Sequence, residues 1–187
     1  SAQPDRTWQA EELLAFVLDR DALFAPGAGW AYADTNYVLL GAVLEKVGDA
    51  PCFDQIEKRL LQPLKLNDTA PNRAREVAGL ANAHTTGLLG LPRGPLLHDG
   101  LYPVNPQFEY CGGGMASTTR DLARWGRALY GGEVVAKELR QAMRDGVPAK
   151  TGPGHRYGLG TMILETKHGR ALGHSGRLLG FRSLVRW

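Results

Sequence analysis

Tyr32 and Asp34 stand two residues apart where an aromatic, glycine-containing turn (residues 24–30, FAPGAGW) gives way to helix-forming sequence. Far downstream, His174, Ser175 and Gly176 follow one another inside a run of short, glycine-punctuated apolar segments. A phenol, a carboxylate, an imidazole and a hydroxyl are groups that hold and pass protons or supply hydrogen bonds to a developing charge. A free phenol has a pKa near 10 and is a poor base at neutral pH, but nearby cations favour its ionised form. Each group also has an ordinary structural reading. Tyr32 suits a half-buried turn aromatic, Asp34 a helix N-cap, and His174 a hydrogen-bonded structural histidine.

The elements that must position these groups follow from periodicity. Residues 8–20 carry Leu13, Leu14 and Val17 at helical spacing and predict a surface helix. Pro26 and its neighbouring glycines break that pattern. The next helix is predicted from Asp34 or Thr35 to Val47, with Tyr37, Leu40, Leu44 and Val47 as its apolar stripe and Gly48 in the left-handed position beyond its end. A turn leading into such a helix can hold a phenol rigidly at a cleft edge while the helix anchors it. Pro51 suits the first turn of a further helix that buries Phe53, Ile56 and Leu60 and stops at Pro63. Residues 67–110 are irregular and rich in Gly, Pro and His, a length that inside a domain is either functional or held down by something larger. Thr118 and Asp121 then make an N-terminal capping pattern for a helix that buries Leu122, Trp125 and Leu129 and ends at Gly131 and Gly132. Residues 135–143 predict one more helix.

After this the pattern changes. YGLGTMILE (residues 157–165), RALGHSG (170–176) and GFRSLVRW (180–187) read as short strands, the first two joined by a hairpin near Lys167, His168 and Gly169. Helices first and an antiparallel meander last predict an α+β fold. The last strand leaves an apolar edge, which invites pairing with another chain.

The 187 residues suit one domain, and 43% hydrophobic with 22% charged residues are ordinary for a folded globular chain. A net charge of +3 is too small to argue for nucleic acid. Between Lys150 and Trp187, basic residues 150, 156, 167, 170, 177, 182 and 186 face the single acid Glu165, a local excess that could attract an anion or simply form a solvated surface. Cys52 and Cys111 lack the spacing of a zinc site or a disulfide framework, and His84, His98, His155 and His168 lack metal-ligand spacing. No apolar run approaches the roughly 18 residues needed to span a membrane. Gly112, Gly113 and Gly114 are not followed by the Lys-Ser/Thr of a phosphate loop. Arg120, Arg124 and Arg127 lie near one helical face and read as a solvated surface.

Three segments in order resemble the serine β-lactamase and penicillin-binding protein superfamily, in its class C β-lactamase, D-alanyl-D-alanine carboxypeptidase and carboxylesterase branch. Residues 26–69 are similar to the stretch around that family's Tyr-x-Asn box, with the two helices and Pro-Leu turn that follow. Residues 112–132, GGGMASTTRDLARWGRALYGG, resemble its Gly-Gly-x-x-Ser-Thr-x-x-Asp-Leu segment. Residues 157–183 resemble its strand pair bearing the Lys/His-Ser/Thr-Gly box. The order and flanks together are specific where each short motif alone would be weak.

The resemblance implies a serine hydrolase that acts through an acyl-enzyme. It implies the proton-accepting role for Tyr32, aided by a lysine of the Ser-x-x-Lys motif and by His174. It places Ser175, Gly176 and Arg177 against the substrate, the Arg177 backbone N–H serving the developing oxyanion. Asp34 replaces the commoner asparagine; it accepts hydrogen bonds but offers no amide N–H when ionised, which favours an esterase-like or peptidase-like parent over a β-lactam specialist. Lys150-Thr151-Gly152 spells the alternative form of the third box, but it lies between Pro148 and Pro153 and is read as an exposed turn outside the site.

No Ser or Thr here has a lysine three residues on. The expectation is therefore a partial β-lactamase-like domain over residues 1–187, truncated at both ends, with a helical and loop region at 1–149 and sheet strands bearing the His-Ser-Gly box at 150–187. Such a chain alone is expected to show no serine-dependent turnover. Its parent's substrate would be a small ester, peptide or β-lactam, with no cofactor, no metal, no nucleic acid partner and no membrane span. The competing expectations are a non-catalytic binding protein and a truncated relative that forms a homo-oligomer through its open sheet edge. A periplasmic or secreted location is implied by the resemblance alone.

Overall fold

The computed structural model describes residues 3–87, 91 and 93–187. Helices and small ribbons come first and an antiparallel sheet last, the α+β order expected from the sequence. Helix α1 (Ala10–Leu14) is far shorter than the predicted span of residues 8–20. The chain beyond it closes only as turns and leaves Phe16 and Leu18 exposed, so no packing sustains a longer helix.

Helix α2 (Thr35–Gly48) forms where predicted but buries a different face. Val38 and Gly41 are its buried residues, whereas Leu40, Leu44 and Val47 of the predicted stripe are exposed. The neighbour decides this. A Cβ on Gly41 would stand 2.5 Å from Cys111 Sγ and 2.7 Å from Tyr110 Cε1, so only a glycine lets the residue 110–111 segment come this close. The left-handed residue at the helix end is Asp49, with φ 48°, rather than Gly48, which stays helical. Helix α3 (Cys52–Ile56) runs on as a π-helical turn (Glu57–Leu61), with Pro51 at its N-cap rather than in its first turn.

The long irregular stretch is held down by a core of its own. Leu96, Leu97 and Tyr102 are buried against Val77, Leu80, Leu179 and Phe181. Strand β1 (Ala70–Pro71) pairs with β4 (Met115–Ala116), and β2 (His84–Thr86) with β3 (Arg93–Pro95). A 3₁₀ segment (Pro106–Gly112) leads into α4 (Thr119–Gly131). As the capping pattern predicts, the Thr118 side chain accepts from the Asp121 N–H at 3.2 Å. The carboxylate of Asp121, only 1% exposed, in turn accepts from the Asp68 N–H at 2.9 Å and the Thr69 hydroxyl at 3.0 Å. One buried acid thus satisfies the start of the long loop and complements the helix dipole.

After α5 (Lys137–Arg144) come β5 (Val147–Pro148), β6 (Arg156–Tyr157), β7 (Met162–Thr166), β8 (Gly169–Leu178) and β9 (Phe181–Arg186), a five-stranded antiparallel meander in that order. The predicted first strand is divided: Tyr157 pairs with Met162, so residues 158–161 turn back as a hairpin loop instead of continuing the strand. The hairpin at Lys167 and His168 forms as expected. Tyr130 of α4 closes over Ile163 and Leu172 of the sheet, with Leu129 and Met143 around them.

Strand β8 outruns β7. Met162, the first residue of β7, pairs with Gly173, so residues 174–178 are paired with β9 on one side only. Among the described residues, no strand covers their other edge.

Candidate active site

Tyr32, Asp34, His174, Ser175, Gly176 and Arg177, the six residues singled out from the sequence, all line one cleft of about 870 Å³. The helical half brings the first two and the bare end of β8 brings the other four. The rings of Tyr32 and His174 lie 6.0 Å apart between centroids, tilted by 37°. Gly173, next to the histidine, lets β8 and β9 approach closely: a Cβ there would stand 2.0 Å from the Val185 carbonyl oxygen.

Asp34 occupies the N-cap position of α2, but its side chain makes no capping hydrogen bond. Its carboxylate instead acts on Tyr32, whose pKa is pushed up to about 12 by burial and then by that negative charge. The cations expected to ease ionisation of this phenol are not what dominates its surroundings in this chain. Burial, followed by Asp34, also raises the pKa of Glu109, which shares the cleft. Gly112 backs Asp34 closely, its Cβ position only 3.2 Å from Asp34 Cβ.

Tyr157 is the member that sequence reasoning missed. Its hydroxyl lies 2.9 Å from His174 Nε2, and its ring meets Tyr32 edge-on at 6.1 Å and Trp30 at 5.2 Å. His174 Nδ1 sits 2.7 Å from the Ser175 carbonyl oxygen, which can only accept, so Nδ1 carries a proton. In the neutral imidazole Nε2 is then the acceptor, and the Tyr157 O–H donates to it. Burial first, then Tyr37 and Tyr32, raise the pKa of Tyr157, which keeps that proton in place. The available signal was an aromatic beginning a strand two segments before the histidine. Nothing in the sequence says that this strand turns back at Gly158.

Lys150 and Thr151 lie in a turn between β5 and β6, off the strands, as the flanking prolines predict. Thr151 nevertheless reaches the cleft wall, and its hydroxyl stands 3.1 Å from His155 Nδ1. Arg177 and Arg182 pair across β8 and β9 and line the same cleft, so its acids come from the helical half and its cations from the sheet.

The model of the β-lactamase family matches residues 1–187. The chain belongs to the β-lactamase family. Its fold is β-lactamase-like, a mixed helical and antiparallel arrangement of the serine β-lactamase and penicillin-binding protein superfamily. The class C branch is not singled out. Penicillin-binding protein 4* of Bacillus subtilis is 27% identical over 169 residues, which are 87% of this chain and 38% of that protein. A D-stereospecific amidohydrolase from Streptomyces superposes with a TM-score of 0.88 at 31% identity, covering 99% of this chain and 54% of that one. The D-amino acid amidase of Ochrobactrum anthropi, complexed with L-phenylalanine amide, gives a TM-score of 0.77 at 25% identity over 94% of this chain and 51% of its own. The chain therefore spans about half the length of these solved relatives. No helix among the described residues is long and apolar enough to cross a membrane.

Proposed function

We propose that this chain carries the proton-handling and substrate-docking half of a serine amidohydrolase that transfers the acyl group of a D-amino acid amide or small peptide to water. The observation that carries this reading is the meeting of Tyr32 and His174 in one cleft beside an unpaired strand edge. The family supports the serine hydrolase class. The amide substrate and its D configuration are suggested by the Streptomyces and Ochrobactrum relatives.

A serine nucleophile attacks the amide carbonyl, forms an acyl-enzyme and releases an amine; water then frees the acid. Tyr32 is the group placed to take and return the proton. With its pKa near 12 it holds its proton in this chain, so a cation beside it is required to favour the phenolate that accepts the serine proton. That is the part a lysine of a Ser-x-x-Lys motif would play. Tyr157 and the Ser175 carbonyl fix the tilt of the His174 ring through both nitrogens, leaving the imidazole as a polar wall with one orientation. The bare edge of residues 174–178 offers main-chain groups to an extended substrate, and a backbone N–H there, at Arg177, serves the oxyanion. Loss of one oxyanion donor costs about 10²–10³ in rate. Asp34 and Glu109 suit the ammonium of an amino acid amide or small peptide, and Arg177 and Arg182 suit the C-terminal carboxylate of the peptide.

None of the 187 residues forms a Ser-x-x-Lys motif, so the chain alone makes no acyl-enzyme. A fluorophosphonate or penicillin probe is expected to leave every serine unmodified. Stoichiometric labelling of one serine would overturn this. Self-association is the second reading, favoured by the outer edge of β9: it has no strand partner among the described residues and leaves Leu184 and Trp187 exposed. Sedimentation velocity is expected to show a concentration-dependent dimer that Leu184→Lys disperses; a monomer at all concentrations would refute it.

A further inference from the structure

Cys52 and Cys111 are distant in sequence and adjacent in space. Cys52 opens α3 and is 1% exposed; its N–H donates to Glu45 Oε1 at 2.8 Å. Cys111 Sγ lies against Gly41, one turn before Glu45 on the same face of α2. The flanking rings of Phe53 and Tyr110 meet at 6.4 Å, which holds the two segments side by side. Both thiols are free, and each is the main influence on the other's pKa, which is lowered at Cys52 and raised at Cys111. Only one of them faces outward: Cys111 lines the cleft, and Cys52 lies behind it.

We propose that Cys52 and Cys111 are a redox pair that closes to an intrachain disulfide when a small disulfide such as oxidised glutathione enters the cleft. Cys111 is the entry point. Its sulfur attacks the glutathione disulfide, forms a mixed disulfide and releases one glutathione as its thiol. Cys52 then attacks the Cys111 sulfur and releases the second glutathione. The two cysteine protons leave on the two glutathione thiols, and the pair is oxidised as the glutathione disulfide is reduced.

The closed pair ties the entrance of α3 to the segment whose next residue, Gly112, backs Asp34. It would therefore stiffen the acidic wall of the cleft. This inference is independent of the amidohydrolase reading, because it concerns thiol chemistry alone.

The test exposes the whole chain to oxidised glutathione under non-denaturing conditions, followed by intact mass, free-thiol titration and peptide mapping. The expected product is a monomer lighter by two hydrogen atoms, without free thiol, with one peptide pair joined through Cys52 and Cys111. Its melting temperature is expected to rise by about 5–10 °C and to return on adding a dithiol reductant. Cys52→Ala is expected to stop at a glutathione adduct on Cys111. Persistence of both thiols, an unresolved adduct in the unaltered chain, or a disulfide between two chains would each overturn the proposal.

Discussion

The rings of Tyr32 and His174 stand 6.0 Å apart although one precedes the first long helix and the other lies in the penultimate strand. Tyr157 joins them, edge-on to the first and hydrogen-bonded to the second. The cleft wall formed by Tyr32 and His174 is thus backed by a third, buried ring.

Burial first, and then the Asp34 charge, raise the pKa of Tyr32. The tyrosine contributes stability in full below the ordinary phenol value near 10, because the fold favours its neutral form. That contribution is lost as pH rises through its folded value of about 12. Following tyrosinate absorbance against a Tyr32→Phe reference, Asp34→Asn is expected to move the Tyr32 midpoint down towards 10. An unmoved midpoint would contradict the assigned electrostatics.

Tyr157→Phe removes the donor to His174 Nε2 without altering the ring packing. The expected cost is about 1 kcal/mol in urea unfolding. A cost indistinguishable from zero would mean that this bond does not hold the imidazole.

Asp121→Ala deprives the Asp68 N–H and the Thr69 hydroxyl of their acceptor inside a site that is 1% exposed. Denaturant unfolding is expected to show a loss of about 3 kcal/mol, against about 1 kcal/mol for the cap variant Thr118→Ala. Equal losses would show that the loop anchor adds nothing beyond helix capping.

Gly173→Ala sets a methyl group against the Val185 carbonyl oxygen, a backbone atom that cannot step aside. The expected loss is on the order of 3 kcal/mol, with slower pairing of β8 and β9 visible as faster amide exchange at residues 174–178. Unchanged exchange there would show that the close approach is not needed.

The parts legible in the sequence are those written in local chemistry. Thr118 with Asp121 announces a helix start, and the glycine-bounded strand carrying His174 announces a sheet rim. Tyr32 and Asp34 mark a turn entering a helix, and their flanks carried the family resemblance that brought them together with His174. What was not legible depends on partners remote in sequence. Helix α2 has apolar residues on both sides, and only the approach of Tyr110 and Cys111 at Gly41 selects the Val38 face over Leu40, Leu44 and Val47. Tyr157 reaches His174 and Tyr32 from behind because residues 158–161 turn back, a register that no local pattern states. Glu109 was hidden in an irregular stretch whose core lies elsewhere.

The proposed activity requires the cleft between Tyr32 and His174 to be a docking site for an amino acid amide. Titration of the isotopically labelled chain with D-phenylalanine amide, and separately with its L enantiomer, tests this most directly by following the ring resonances of Tyr32, Tyr157 and His174. The prediction is a saturable shift of all three rings, stronger for the D enantiomer and abolished by Asp34→Asn together with Glu109→Gln. Shifts confined to residues outside that cleft, or none at saturating amide, would contradict it.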